Sequence, residues 1–131
     1  MGLDDEELEK YEPNAGCQAY PAFLSWLALN SAPADAIVGV VANFSAWGEY
    51  CAKIAVAMRE QYGFSDEECA FFDFFAEPDP DGEEQAIAAV QAALDAGECS
   101  PKKAHTYGRL FQVYELMFWN TLADQAQGVG D

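Results

Sequence analysis

Positive charge is scarce in this chain: 6 Lys and Arg stand against 23 Asp and Glu in 131 residues, for a formal net charge of -17. Such a chain is repelled by phosphate backbones and anionic bilayers, so neither nucleic acid nor a membrane is expected as a partner. Histidine is scarcer still, with His105 alone, and no metal site or cofactor is assigned. The four cysteines, Cys17, Cys51, Cys69 and Cys99, form no Cys-x-x-Cys pair. With no charged-then-apolar leader ahead of them, they read as free thiols of a cytoplasmic protein. Cys51 and Cys69 fall within helical patterns as small core residues. No apolar run reaches the length of a membrane span, and no alternating strand pattern or hairpin turn competes with the helical periodicities.

What the chain does have is apolar mass: 51% of its residues are hydrophobic and 14% aromatic, enough for one core in a single domain over 1–131. The class is all-α, a bundle of about five main helices. An acidic stretch at 2–10 is compatible with one further, marginal helix. Helices are expected from Cys17 to Leu29, from Asp35 to Tyr62, from a capping box at Ser65 through Phe75, from about Asp81 to Gly97, and from Pro101 to about Ala123. Residues 124–131 read as a frayed tail.

The last helix carries the chain's most informative feature. Leu110, Phe111, Val113, Tyr114, Leu116, Met117, Phe118, Trp119 and Leu122 cover every face of it, so it is expected to be buried. Glu115 lies in the middle of that segment. A buried carboxylate binds something, accepts hydrogen bonds, or takes up a proton. Phe111, Glu115 and Phe118 are spaced i, i+4, i+7, which sets the carboxylate between two aromatic rings on one face. This suits the floor of a small-molecule pocket with Phe111 as part of its lining. On the long central helix, Asn43, Trp47 and Tyr50 repeat the same spacing and line one face with an amide, an indole and a phenol. These groups stack on flat rings and hydrogen-bond their edges, although ordinary helix packing explains the stripe as well. Glu49 has Lys53 at i+4 and reads as a salt-bridge residue.

The run Tyr114-Glu115-Leu116-Met117-Phe118-Trp119 resembles the terminal-helix signature of the TenA (thiaminase II) and PqqC-like branch of the heme-oxygenase-like helical fold. Ala19-Tyr20, Trp47-Gly48-Glu49 and Phe71-Phe72-Asp73-Phe74-Phe75 are similar to further segments of that family. The resemblance implies the C-terminal part of that fold, with Glu115 as catalytic acid and base and Tyr20 lining a pyrimidine pocket. It implies a role in thiamine salvage through hydrolysis of an aminopyrimidine. Two departures accompany it. Asn43 stands where thiaminase II proteins carry their nucleophilic cysteine, and Cys51, two turns on, does not replace it. The family's upstream helices, which supply an aspartate to the aminopyrimidine, have no counterpart in these residues. Haem-cleaving and di-iron relatives need several histidines, and quinone-cofactor synthesis needs several basic groups, so neither chemistry is expected here.

Hydrolysis without the cysteine calls for water activated by a carboxylate. The competing expectation is a non-catalytic binding or interaction domain, with Glu115 satisfied by tyrosine hydroxyls from Tyr107, Tyr114, Tyr20 or Tyr50. Under either reading the apolar faces exceed what a small monomer tolerates, and a homodimer or higher homo-oligomer is expected.

Overall fold

The computed structural model describes residues 4–128, and every element in that range is a helix. α1 spans Asp5–Lys10, α2 Ala15–Asn30, α3 Pro33–Tyr62, α4 Asp66–Ala76, α5 Pro80–Asp95 and α6 Pro101–Gly128. The five expected long helices are present, and α1 is the short acidic one. No described helix is long and apolar enough to cross a membrane.

Local chemistry sets the boundaries. Ser65 and Glu68 close the expected capping box at the start of α4. Asn14 caps α2, so that helix begins two residues before Cys17. α5 also begins earlier than its acidic pattern suggests, because Asp79 accepts from the Gly82 N–H and Pro80 supplies a first helical residue with fixed φ. Gly63 ends α3 at φ 72°, where its N–H and that of Phe64 return to the carbonyls of Arg59 and Met58. α6 runs past its expected end near Ala123 to Gly128; residues 129–131 of the expected tail lie outside the described residues.

α3 is the spine. α4 and then α5 fold back along it, and α6 packs on another side. Two glycines permit these approaches. A Cβ on Gly39 would lie 3.3 Å from the Gly108 nitrogen of α6, and one on Gly48 would lie 2.8 Å from the Phe75 carbonyl oxygen of α4. Asp35, in the first turn of α3, is buried and accepts from the Ser100 N–H at 2.6 Å, so one carboxylate serves the starts of both α3 and α6. α2 packs on α6 and meets α3 only lightly. The core lies between these three helices around Phe23, Leu27 and Phe111, with Tyr20, Val40, Tyr107 and Tyr114 against it. Cys51 and Cys69 are buried as expected, and all four cysteines are free.

One expectation is overturned. α6 is not buried on every face: Val113 and Leu116 are each 60% exposed, and Leu110 and Met117 are exposed as well. The reason is the number of neighbours. α2 and α3 cover two sides of α6, and none of the other described helices packs against it.

α3 and α4 are also joined by charge. Arg59 grips Asp73 with both guanidinium nitrogens, at 3.0 and 2.5 Å, and reaches Asp66 from Nε at 2.8 Å. Those bonds hold the Asp73 carboxyl below its ordinary range. Glu49 and Lys53 approach at 3.9 Å on the open surface, a pair of little energetic consequence.

Two tests follow from this packing. Gly39→Val forces α3 and α6 apart and lowers unfolding stability by roughly 1–3 kcal/mol in urea titration; an unchanged midpoint would mean that the two helices do not meet there. Native Asp73 stays ionised where an unfolded aspartate, near pKa 3.9, has begun to bind a proton. Its contribution is therefore complete above about pH 5 and is lost as pH falls through the depressed native value. The stability difference between the natural chain and Asp73→Asn should be flat above that range and shrink on acidification at constant ionic strength.

Candidate functional site

The α3–α6 crossing brings two polar rows together. Beyond Gly39 and Gly108, Asn43 of α3 accepts from Gln112 Nε2 of α6 at 2.9 Å, and its Nδ2 donates to the Tyr20 hydroxyl of α2 at 3.2 Å. Asn43 is buried, so its amide is a strut between three helices. One turn on, Glu115 of α6 is 2% exposed. Its Oε1 accepts from Trp119 Nε1 at 3.0 Å. Oε2 has no hydrogen-bond partner among the described residues.

Aromatic rings surround the carboxylate. Tyr20 lies edge-on to Phe111 at 4.9 Å and tilted to Phe118 at 6.2 Å, the two rings that flank Glu115 on its own helix. Trp47 stacks on Tyr20 at 5.7 Å with an interplanar angle of 14°, and also meets Trp119 at 5.4 Å and Phe75 at 6.2 Å. Tyr50 closes the outer edge at 5.1 Å from Trp119, with Lys53 5.6 Å above its ring.

Burial, with the Glu115 charge added to it, raises the Tyr20 phenol far above its ordinary range, outweighing the opposing bond from Asn43. The phenol is therefore neutral at physiological pH, with its own proton available for donation. Burial and then Glu115 push the Cys51 thiol up as well. Cys51 thus borders the carboxylate as a protonated, buried thiol.

All the residues singled out from the sequence fall in this one region, with different surroundings. Glu115, Tyr20 and Trp47 form its centre, and Tyr50 its exposed rim. Phe111 is core, packed with Phe23 and Leu27. Both polar groups of Asn43 are engaged within the protein. None of the four tyrosines considered donates to Glu115 among the described hydrogen bonds; the indole at i+4 does. Gln112 was not foreseen, nor was the nearness of Cys51, expected as a core residue, to Glu115. Gln112 lies one turn before the segment that includes Glu115, and only the pairing of α6 with α3 shows its role. His105 is exposed, and no cluster of metal-ligating side chains occurs among the described residues.

Two open cavities lie elsewhere, between α3 and α5. One, of about 300 Å³, is bounded by Val38, Val41, Ile87, Val90 and Leu94; the other, of about 170 Å³, by Pro33, Ile37, Ala89 and Ala93. Fold and site together define an all-α bundle with a carboxylate-centred aromatic cluster at the junction of three helices. No protein-family model, curated protein or solved structure matches the chain.

The amide strut predicts a measurable coupling. Asn43→Leu removes the partner of both Tyr20 and Gln112 and costs about 1–3 kcal/mol. In a Tyr20→Phe background the same change costs less, by roughly 0.5 kcal/mol or more. Strictly additive losses in urea unfolding would mean that the two side chains are not bonded.

Proposed function

We propose that the cluster around Glu115 is the floor of a binding site for a small planar nitrogen heterocycle of the aminopyrimidine class. The observation that carries this reading is a nearly buried carboxylate that accepts one hydrogen bond among the described residues. With Oε1 held by Trp119 and no partner for Oε2 among those residues, Glu115 offers one directed acceptor to a ligand N–H. The neutral Tyr20 hydroxyl offers a donor, and Trp47 an aromatic face. The TenA-like run at 114–119 adds the class of ligand and a reaction: hydrolytic removal of an amino group, within thiamine salvage. In that reaction water adds to the ring carbon bearing the amine. Glu115 takes the water's proton and delivers it to the departing ammonia. Asn43 supplies no nucleophile, and Cys51 is a buried thiol rather than a thiolate, so covalent catalysis has no support from either.

A second reading is favoured by one observation. The rings pack on one another around Glu115, whereas two open cavities lie between α3 and α5. On that reading the cluster is a structural centre and the chain a non-catalytic binding or interaction domain.

Thermal unfolding against thiamine and a panel of aminopyrimidines separates the two. A rise in midpoint that grows with concentration, and that Glu115→Gln abolishes while remaining helical by circular dichroism, supports the site. At one hundred times the dissociation constant the stabilisation is about 2.7 kcal/mol. Ammonia release from the compound that binds then distinguishes turnover from binding alone. No shift with any compound, with both proteins folded, overturns the proposal in favour of the second reading.

A further inference from the structure

At a mass of 14.3 kDa the chain exposes 9415 Å² of surface, whereas a compact monomer of that mass exposes about 6,800 Å². The difference, about 2,600 Å², exceeds the roughly 800 Å² that each partner contributes to a standard interface. Part of it belongs to α1, which packs against no other helix. Part of the exposed apolar surface lies where charge is absent. No Asp, Glu, Lys or Arg occurs in Ala15–Asn30 or in residues 36–48, and Glu115 alone occurs in residues 110–123. Most of the acidic residues lie on α1, α4 and α5 and in the turns beside them, with Asp35, Glu49 and Glu60 on α3 and Glu115 and Asp124 on α6.

Within this uncharged region α6 presents a defined stripe. Tyr107, Phe111, Tyr114 and Phe118 face α2, while Gly108, Gln112 and Trp119 face α3. Helical periodicity leaves Leu110, Val113, Leu116 and Met117 on the remaining side together with Asn120, and all five are exposed. Arg109 and Asp124 border the stripe at opposite ends. Both are exposed, and neither forms an ion pair among the described residues. Arg109 stands seven residues before Leu116, and Asp124 seven after Met117.

We propose that this side of α6 is the interface of a two-fold symmetric dimer of the chain. In that dimer α6 packs antiparallel against the α6 of a second copy, with Leu116 and Met117 at the axis. The sequence symmetry about that axis sets Arg109 opposite the Asp124 of the second copy, twice per dimer. The stripe is thereby complementary to itself: apolar in the middle, with a cation at one end and an anion at the other. A net charge of -17 per chain is compatible with this contact because all the carboxylates but Glu115, Asp124 and the C-terminal Asp131 lie before α6 and repulsion beyond about 8 Å is screened at physiological salt. Another apolar surface, the groove between α3 and α5, does not share this property. Residues 77–101 contain no Lys or Arg, so a two-fold contact through α5 sets carboxylates against carboxylates.

Sedimentation equilibrium over a micromolar range tests the proposal, with helicity checked by circular dichroism. The natural chain is expected to sediment as a dimer, and Leu116→Glu as a folded monomer. Arg109→Glu, a surface change that leaves the core intact, should weaken the dimer roughly tenfold, since it turns attraction into repulsion at two symmetric positions. Adding Asp124→Arg to it should restore the affinity. A natural chain that is monomeric throughout overturns the proposal. So does a dimer that survives Leu116→Glu, whether Ile87→Glu in the α3–α5 groove dissociates it or not. An Arg109→Glu defect that Asp124→Arg leaves unrepaired overturns the antiparallel register.

Discussion

The close passage of α3 over α6 at Gly39 and Gly108 is the contact on which the rest of the arrangement depends. With no side chain between the helices at that level, the next turns meet in step: Asn43 reaches Gln112, and Trp47 and Tyr50 reach Trp119. A helix pair this close leaves a groove on one side, and α2 fills it with Tyr20, Phe23 and Leu27. Glu115 is buried because it lies on the part of α6 that this triangle encloses. Its position is a consequence of backbone approach several residues away, not of any attraction between the carboxylate and its surroundings.

Burying that carboxylate has a cost that the neighbourhood offsets only in part. Among the described residues one hydrogen bond, from an indole, reaches it, fewer than the several donors a fully buried carboxylate usually gathers. The field it leaves is felt by Tyr20 and Cys51, whose acidities both fall. These neighbours therefore stay neutral and hold their protons. A centre with one anion, a phenol that donates and a thiol that does not ionise suits binding through hydrogen bonds better than attack by a protein nucleophile.

How much of this was legible in the sequence depends on the range of the interaction. Helix ends were readable because Ser65, Pro101 and Gly63 act within one turn. The face shared by Phe111, Glu115 and Phe118 was readable because periodicity is local, and that face does meet Tyr20. The donor to Glu115 was within local reach too, at i+4, yet a tyrosine from elsewhere was an equally good expectation on chemistry alone. Asn43 was a different case. Its partners are 23 and 69 residues away, and the same amide on the same face serves a ligand or a neighbouring helix according to which helix lies opposite. The exposed side of α6 was illegible for a related reason. An all-round apolar pattern states that each face prefers contact, but says nothing of whether the same chain provides it.

Charge placement joins these observations. A chain with 23 acidic residues has left Ala15–Asn30 and residues 36–48 of α3 free of charge, and retains one carboxylate between Leu110 and Ala123. Solubility requires net charge but does not require it to be segregated. Segregation has two physical effects here. It spares the buried Glu115 the repulsion of nearby carboxylates, which at close range in a partly desolvated interior amounts to several kcal/mol for each like-charged neighbour. It also leaves the outward side of α6 between Arg109 and Asp124 free of charge, with one charge of each sign at the two ends of that stretch. The same distribution thus allows a carboxylate to be held inside the bundle and an apolar stripe to be left outside it. Acidic residues spread evenly over α2, α3 and α6 would prevent both.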